Sequence, residues 1–539
     1  MLMLLACRQQ PVTEIEPWVP YDESGELAEN AGHQSPKMQY KLIQSKVLDK
    51  NAVWDNVEGQ IRNFSEEDYQ SLKPLILEQD ILTIQTHVRS GDLSYEKLTQ
   101  WYLYRIVKYE NDRNTMLNSI IAINPGAVAE ARERDKNRSD GDHPIYGMPV
   151  LLKDNIGMKG LPTTAGAVAL AGNMTSDAFI TERIREKGGV ILGKTNLSEW
   201  ANYLSSACPN GYSAVGGQSL NPYGRRKLDT GGSSSGSGTA MAVNYAAAAV
   251  GTETSGSILS PSSANSVTGL KPTVGLLSRG GIVPLSGTLD TPGPMTRTVT
   301  DNAILLSAMS GEDAADIVTK DNPKNIEYWK GLETTTLEGL RFGVNKSLSG
   351  DSLYMLAVDK IVSLGGITVE FEPGKINFEG FSTLLSADMK AGLPAYLDKY
   401  APGEITFRSI SEIADFNRAD SLVRIPYGQT IFDDMVALEM TPEEVLNLKK
   451  RLHEEAVSFF EKPMTNYQLD AVLSVNNRNA GQAAAAFYPC LTVPMGYRDN
   501  GAPAGITFIA RPFEEGKLLK IGYAFEQATK ARRLPEEYK

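Results

Sequence analysis

Two short glycine- and serine-rich runs, residues 231–238 (GGSSSGSG) and 251–258 (GTETSGSI), restrict this chain more than any other feature. An alanine- and valine-rich stretch reaching Val250 lies between them and reads as a helix. Glycine admits backbone conformations closed to other residues, and paired Gly/Ser turns let N–H groups converge on one point, as an oxyanion requires. A flexible linker would not enclose an apolar, helix-length segment, so the pair belongs to a packed interior. The surrounding texture is layered. Apolar runs at 148–152 and 190–192 alternate with glycine-rich turns across 145–310, which predicts an α/β fold.

Neighbouring residues discriminate among the chemistries that such turns serve. A P-loop needs Gly-Lys-Ser/Thr after its glycines, and no lysine occurs between Gly231 and Val250. The phosphate loop of a small-molecule kinase is a looser match. Residues 232–236 (GSSSG) fit the nucleophile-elbow pattern G-x-S-x-G with Ser234 as nucleophile. An elbow follows a buried strand, however, and residues 223–230 (YGRRKLDT) are polar. It also needs a downstream acid and then a histidine. Only His453 follows, in a charged helical stretch (449–455) that reads as solvated.

A serine hydrolase without histidine needs another base, and lysine is the usual substitute. Lys153 ends the apolar run Pro149-Val150-Leu151-Leu152, which would carry it into the interior. Burial there disfavours the ammonium form and lowers the pKa. A Lys153 merely ion-paired with Asp154 is the purely structural alternative.

Composition narrows the partner classes. The 539 residues carry 53 Lys plus Arg against 65 Asp plus Glu, a net charge of -12, with no concentrated basic cluster, so no nucleic-acid surface is expected. Cys7, Cys208 and Cys490 form no CxxC pair and histidine is scarce, which argues against a Cys/His zinc site. The cysteines read as free thiols. No metal or organic cofactor is implied. No run reaches the roughly 20 apolar residues of a membrane-spanning helix.

Three segments are expected along the chain. Residues 1–36 read as a signal remnant and tether, without an apolar period from 8 to 36. Within them Leu4-Leu5-Ala6-Cys7 resembles the lipobox of bacterial lipoproteins, although the apolar run before Cys7 is shorter than a complete signal. That resemblance implies a lipid anchor at Cys7 and a place in the bacterial cell envelope or periplasm; without it the reading is cytoplasmic. Residues 37–77 read as a helical extension and 78–539 as one catalytic domain. Tyr95, Leu98, Tyr102, Ile106 and Tyr109 recur at steps of three or four and predict an amphipathic helix over 94–110. Strands are expected at 340–344, 367–371, 469–475, 491–493 and 506–509. Thr441-Pro442-Glu443-Glu444 has the composition of a capping box, and a closing helix is expected over 514–532.

Four motifs then occur in one register: residues 150–157 (VLLKDNIG), 231–237 (GGSSSGS), 251–258 (GTETSGSI) and 269–273 (GLKPT), continued by 290–297 (DTPGPMTR). In order and spacing this set resembles the amidase-signature family, over about residues 78–532. The 24 residues separating Ser233 from Ser257 match that family's two catalytic serines. Residues 193–202 (GKTNLSEWAN), 271–278 (KPTVGLLS) and 490–497 (CLTVPMGY) look closest to its bacterial peptide amidases. The resemblance implies a large mixed β-sheet core covered by helices, and hydrolysis of linear carboxamide C–N bonds to a carboxylate and ammonia or an amine. It implies Ser257 as the nucleophile, Ser233 as a proton bridge following a cis peptide bond, and Lys153 as the base. The backbone N–H groups of Thr254, Ser255, Gly256 and Ser257 are the implied oxyanion hole. The substrate would be a small-molecule or peptide amide, C-terminal peptide amides among them.

The sequence departs from the family in two places. Where many relatives have Gly-Gly-Ser-Ile-Arg, this chain has Ser255-Gly256-Ser257-Ile258-Leu259, and the missing arginine weakens the case for a small carboxylate-bearing substrate. Peptide amidases carry a longer segment, usually with a Pro-Thr pair, where this chain has only residues 476–481 (NNRNAG), so a pocket wall is expected to differ. Three other functions share the pattern: an amidotransferase subunit that hands ammonia to a partner, an esterase, and an inactive binding protein. Partner dependence, a matched amide and ester pair, and failure to react with a serine-directed phosphonate would reveal each in turn.

Overall fold

The small side chains around residue 240 set the architecture, because they let a helix and a sheet approach closely. In the computed structural model, which describes residues 13–539, the helix Ser235–Ala242 is buried along its whole length and packs on a central mixed sheet. That sheet has eleven strands: β1 (Ile120–Ile123), β2 (Pro149–Lys153), β3 (Val190–Thr195), β4 (Ala248–Glu253), β5 (Thr268–Lys271), β6 (Thr291–Thr296), β7 (Arg341–Asn345), β8 (Ile367–Phe371), β9 (Ala471–Val475), β10 (Cys490–Tyr497) and β11 (Pro503–Ile509). Their spatial order is β1-β3-β2-β4-β6-β5-β10-β11-β9-β7-β8. Strand β2 runs parallel to both β3 and β4, as β7 does to β8 and β9, and antiparallel pairs join these groups. The central strands β2, β3 and β4 are buried at every position, as strands covered on both faces must be. Helices Val299–Met309 and Glu515–Thr529 pack together over the sheet, the first buried at ten of its eleven residues.

Sequence expectation and structure agree for most elements. Ser94 caps the helix Tyr95–Glu110, and the five residues at helical spacing are buried on it. The capping box at Thr441 opens the helix Pro442–Asn466. The five later strands fall where expected, each end within four residues.

The alanine-rich run differs. The helix ends at Ala242, Asn244 turns the chain at φ +59, and Ala248 and Ala249 lie in strand β4. Asn244 exchanges two hydrogen bonds with Glu78, donating to its carboxylate and accepting from its backbone N–H. Pairing with β2 overrides the helix preference of alanine here.

Residues 13–36, expected as a tether, run along the body instead. Ile15, Trp18, Tyr21 and Leu27 pack against the main apolar cluster, and Trp18 lies under the Lys50 ammonium at 4.2 Å. The Glu23 carboxylate accepts from the backbone of Ile43 and Gln44, and Asn30 donates to the carbonyls of Met38 and Arg226. Isolated aromatic anchors on extended chain leave no period, which is why the sequence reads there as unstructured. The helices Lys50–Ile61 and Glu66–Ile76 bury Trp54, Val57, Ile61, Tyr69 and Ile76 in the same cluster. The lipobox-like residues 4–7, with Cys7, lie outside the described residues. Among the described residues, no helix is long and apolar enough to cross a membrane.

Candidate active site

Lys153 is the last residue of β2, and Thr252 and Glu253 end the parallel strand β4 beside it. Ligands of α/β sheets gather at such carboxyl ends, where strands stop and loops take over. Lys153 is fully buried and its Nζ touches three oxygens: Ser233 Oγ at 2.7 Å, Thr252 Oγ1 at 2.8 Å and the Thr252 carbonyl at 3.3 Å. Burial pushes its pKa down from 10.5 to about 7, against the opposing pull of the Asp290 and Glu253 carboxylates. Asn155 donates to the same Thr252 hydroxyl at 3.0 Å, and so fixes that hydroxyl beside the amine.

Asp154 faces away from Lys153, as alternation along extended chain dictates. It meets Lys194 of β3 at 3.2 Å and accepts from the Thr164 hydroxyl and N–H, so the Lys153–Asp154 pairing is absent. Both members of the Lys194–Asp154 pair are almost wholly buried. Lys194→Met should therefore leave an uncompensated carboxylate in the interior and destabilise the fold by about 3–5 kcal/mol, read as a lower urea midpoint. An unchanged midpoint would mean that the pair contributes nothing.

Ser233 sits in the turn before the helix Ser235–Ala242, after a cis Gly232–Ser233 peptide bond. Its carbonyl accepts from Ser198 N–H at 3.0 Å. The elbow candidate Ser234 is turned elsewhere: its hydroxyl donates to the Thr252 carbonyl and accepts from the Thr252 N–H, with no exposure. Its backbone N–H donates to the Ser257 carbonyl at 3.1 Å, which ties the two glycine-rich turns together. Ser257 is 8% exposed, whereas Ser233 and Lys153 are 0% exposed, so of the three only Ser257 reaches the surface. No hydrogen bond joins the Ser233 and Ser257 hydroxyls among the described residues.

Two carboxylates stake the loop that carries Ser257. Glu253 accepts from the N–H groups of Ile258 (2.7 Å) and Leu259 (3.0 Å), folding the loop back on itself. Asp290 accepts from the Thr254 hydroxyl on one oxygen and from the N–H groups of Leu285 and Ser286 on the other. Burial raises the pKa of both. Gly256 holds φ +91, a conformation that side chains other than glycine rarely adopt. Among the described residues, no acceptor meets the backbone N–H of Thr254, Ser255 or Ser257. The expected oxyanion donors therefore lie on one short, fixed loop. A cavity of about 230 Å³ adjoins Asn155, Thr252 and Thr254, and Ile282, Leu285 and Tyr396 form part of its apolar wall.

Sequence reasoning gave no role to Thr252, Asn155, Glu253 or Asp290, although all four lie inside the quoted motifs. Asn155 meets Thr252, Thr252 meets Lys153 and Asp290 meets Thr254 only through folding, whereas Glu253 bonds to the N–H groups of its own loop. His453 is half-buried rather than solvated: its Nδ1 meets the Ala485 carbonyl at 2.8 Å and its ring packs on Phe487. It forms no hydrogen bond with Ser234 or Ser257. Cys208 and Cys490 are buried and unpaired with each other. No group of three or more metal-ligating side chains converges among the described residues.

Comparison with known proteins gives concordant results. A family model described as Amidase matches residues 97–418. A protein of Arabidopsis thaliana named as a probable amidase is 37% identical over 478 residues, covering 86% of this chain and 92% of the relative. A solved amidase family protein from Bacillus anthracis superimposes with a TM-score of 0.87 at 36% identity, covering 92% of this chain and 100% of that one. The native peptide amidase from Stenotrophomonas maltophilia superimposes with a TM-score of 0.80 at 38% identity, over 85% and 99% of the two chains.

Proposed function

The chain belongs to the amidase family and is an amidase, and from that premise we propose that it cleaves linear carboxamides through Ser257, Ser233 and Lys153, with C-terminal peptide amides as its substrate class. The observation that carries this reading is the state of Lys153. Buried, shifted to about 7 and 2.7 Å from Ser233 Oγ, it is neutral for much of the time near pH 7. A neutral amine has two N–H donors and one lone pair. Thr252 Oγ1 and its carbonyl take the donors, and Ser233 O–H fills the lone pair.

In the forward step Ser257 Oγ bonds to the substrate carbonyl carbon, while its proton passes to Ser233 and the Ser233 proton passes to Lys153. The carbonyl oxygen gains negative charge and is held by the N–H groups of Thr254, Ser255 and Ser257, each such donor being worth about 3–4 kcal/mol in the transition state. The Gly256 N–H is turned to the Glu253 carboxylate. The proton returns through Ser233 to the leaving nitrogen, the C–N bond breaks, and ammonia or an amine departs. Water then attacks the acyl-enzyme by the same relay, releasing the carboxylic acid and restoring Ser257. The peptide class is supported by the likeness to solved peptide amidases, among them the peptide amidase PAM in complex with the competitive inhibitor chymostatin.

The test joins a substrate panel to covalent labelling. A serine-reactive phosphonate should add its mass to the peptide containing Ser257, and ammonia release should be faster from peptide amides than from fatty amides or anilides. A label located on another serine would overturn the nucleophile. A preference for fatty amides or anilides would overturn the substrate class.

A further inference from the structure

The short segment of residues 476–481 lies directly over the nucleophile loop. A methyl group built on Gly256 would stand 3.0 Å from Asn477 Nδ2 and 3.6 Å from Ala480 Cβ. One built on Gly481 would stand 3.4 Å from Ser255 Oγ and 3.2 Å from the Phe378 ring, which is stacked on Phe381.

The backbone of this segment is tightly held. Asn476, in a left-handed conformation at φ +51, exchanges hydrogen bonds with Gly505 through its backbone N–H and its side-chain oxygen, and its carbonyl accepts from Thr507. Ser474 Oγ donates to the Arg478 carbonyl at 2.7 Å, Arg478 N–H donates to Val475, and Ala480 N–H donates to the Asn477 carbonyl. Yet the Asn477 side chain is exposed and hydrogen-bonds to nothing among the described residues. It forms part of the wall of an open polar cleft of about 650 Å³, across from Ser347, Asp351 and Ser352. A rigid loop thus presents a free carboxamide between the nucleophile loop and an open cleft.

Resting on the amidase reading above, we propose that Asn477 is a specificity-determining residue that binds the amide unit next to the scissile carbonyl. Its side chain offers two N–H donors and one carbonyl acceptor. An N-acylated amino-acid amide presents an N–H beside the bond to be cut, and this N–H donates to Asn477 Oδ1, the C=O of the same trans amide pointing the opposite way. A simple alkyl or arylalkyl amide has no such unit. The Phe378–Phe381 pair flanks the same position and offers an apolar surface to the substrate side chain.

The test compares kcat/KM for ammonia release from N-acetylphenylalaninamide and from 3-phenylpropanamide, which differ only in the acetamido group. Wild type, Asn477→Ala and Asn477→Asp are compared at one pH. One net hydrogen bond corresponds to a selectivity ratio on the order of 10-fold, and Asn477→Ala should erase it, chiefly through KM for the acetylated substrate. Asn477→Asp keeps the acceptor and should restore part of the ratio. A ratio that is the same in wild type and Asn477→Ala would overturn the proposal, since a purely structural loop defect slows both amides alike. Phosphonate labelling of Ser257 separates the two readings: label present with an unmoved ratio sinks only Asn477, whereas label absent from wild-type Ser257 sinks the amidase mechanism and this inference with it.

Discussion

Ser257→Ala should lower ammonia release by about 10⁴- to 10⁶-fold, the range seen when a hydrolase loses its nucleophile. Neither serine of the first glycine-rich turn is placed to substitute. Ser233 is fully buried against Lys153, and Ser234 is committed to the backbone of Thr252. Residual turnover would come from binding and the backbone donors of the loop alone. Stability should barely move, by less than about 0.5 kcal/mol, because the Ser257 hydroxyl anchors nothing in the described structure. Steady-state ammonia release and a urea melt read the two quantities separately. Turnover within tenfold of wild type would end the case for Ser257. A large loss accompanied by unfolding would have to be settled by Ser257→Cys, which keeps a nucleophile of similar size.

Lys153→Met should cost about 10²- to 10⁴-fold in kcat/KM at pH 8, the contribution of one positioned general base. Methionine keeps the length of the chain and removes only the amine. The pH profile is the sharper readout. Lys153 acts as a base only when neutral, so wild-type kcat/KM should rise about tenfold per pH unit until about 7 and then level off. The variant should lose that limb and keep a flat residual rate.

The same shift leaves a signature in stability. The native pKa lies below the unfolded value of 10.5, so between about 7 and 10.5 the unfolded chain holds a proton that the native chain has released. Stability therefore rises with pH across that window, and the contribution is lost as pH falls through about 7. Wild type and variant should diverge in their pH-dependence of unfolding there. Parallel curves would mean that Lys153 titrates at an ordinary value and is no base at neutral pH.

Much of the fold was legible because periodicity and caps act locally. The helix Tyr95–Glu110 follows from five apolar residues on one face and a serine cap, and the helix Pro442–Asn466 from its capping box. Strands β7 and β8 follow from short apolar runs between turns. The alanine run was misread because alanine favours a helix wherever nothing else decides, and pairing with β2 decided. The packed course of residues 13–36 was missed for a related reason. Trp18, Tyr21 and Glu23 work as separate anchors on a surface that the sequence does not display.

At the site, the apolar run before it pointed to Lys153, whereas Ser233, Ser257 and the loop 254–257 were marked by the resemblance of the glycine- and serine-rich motifs to the amidase-signature family. Direction and partnership came only with the tertiary structure. It turned Asp154 toward Lys194, leaving Lys153 to Ser233 and Thr252. It brought Asp290 under Thr254 and Asn477 over Gly256. A pKa near 7 is a property of what surrounds an amine, and those surroundings are assembled from strands about a hundred residues apart. Local pattern determines which residues are present and how the chain bends between them; the dielectric, the partners and the exposed face of each belong to the packed whole.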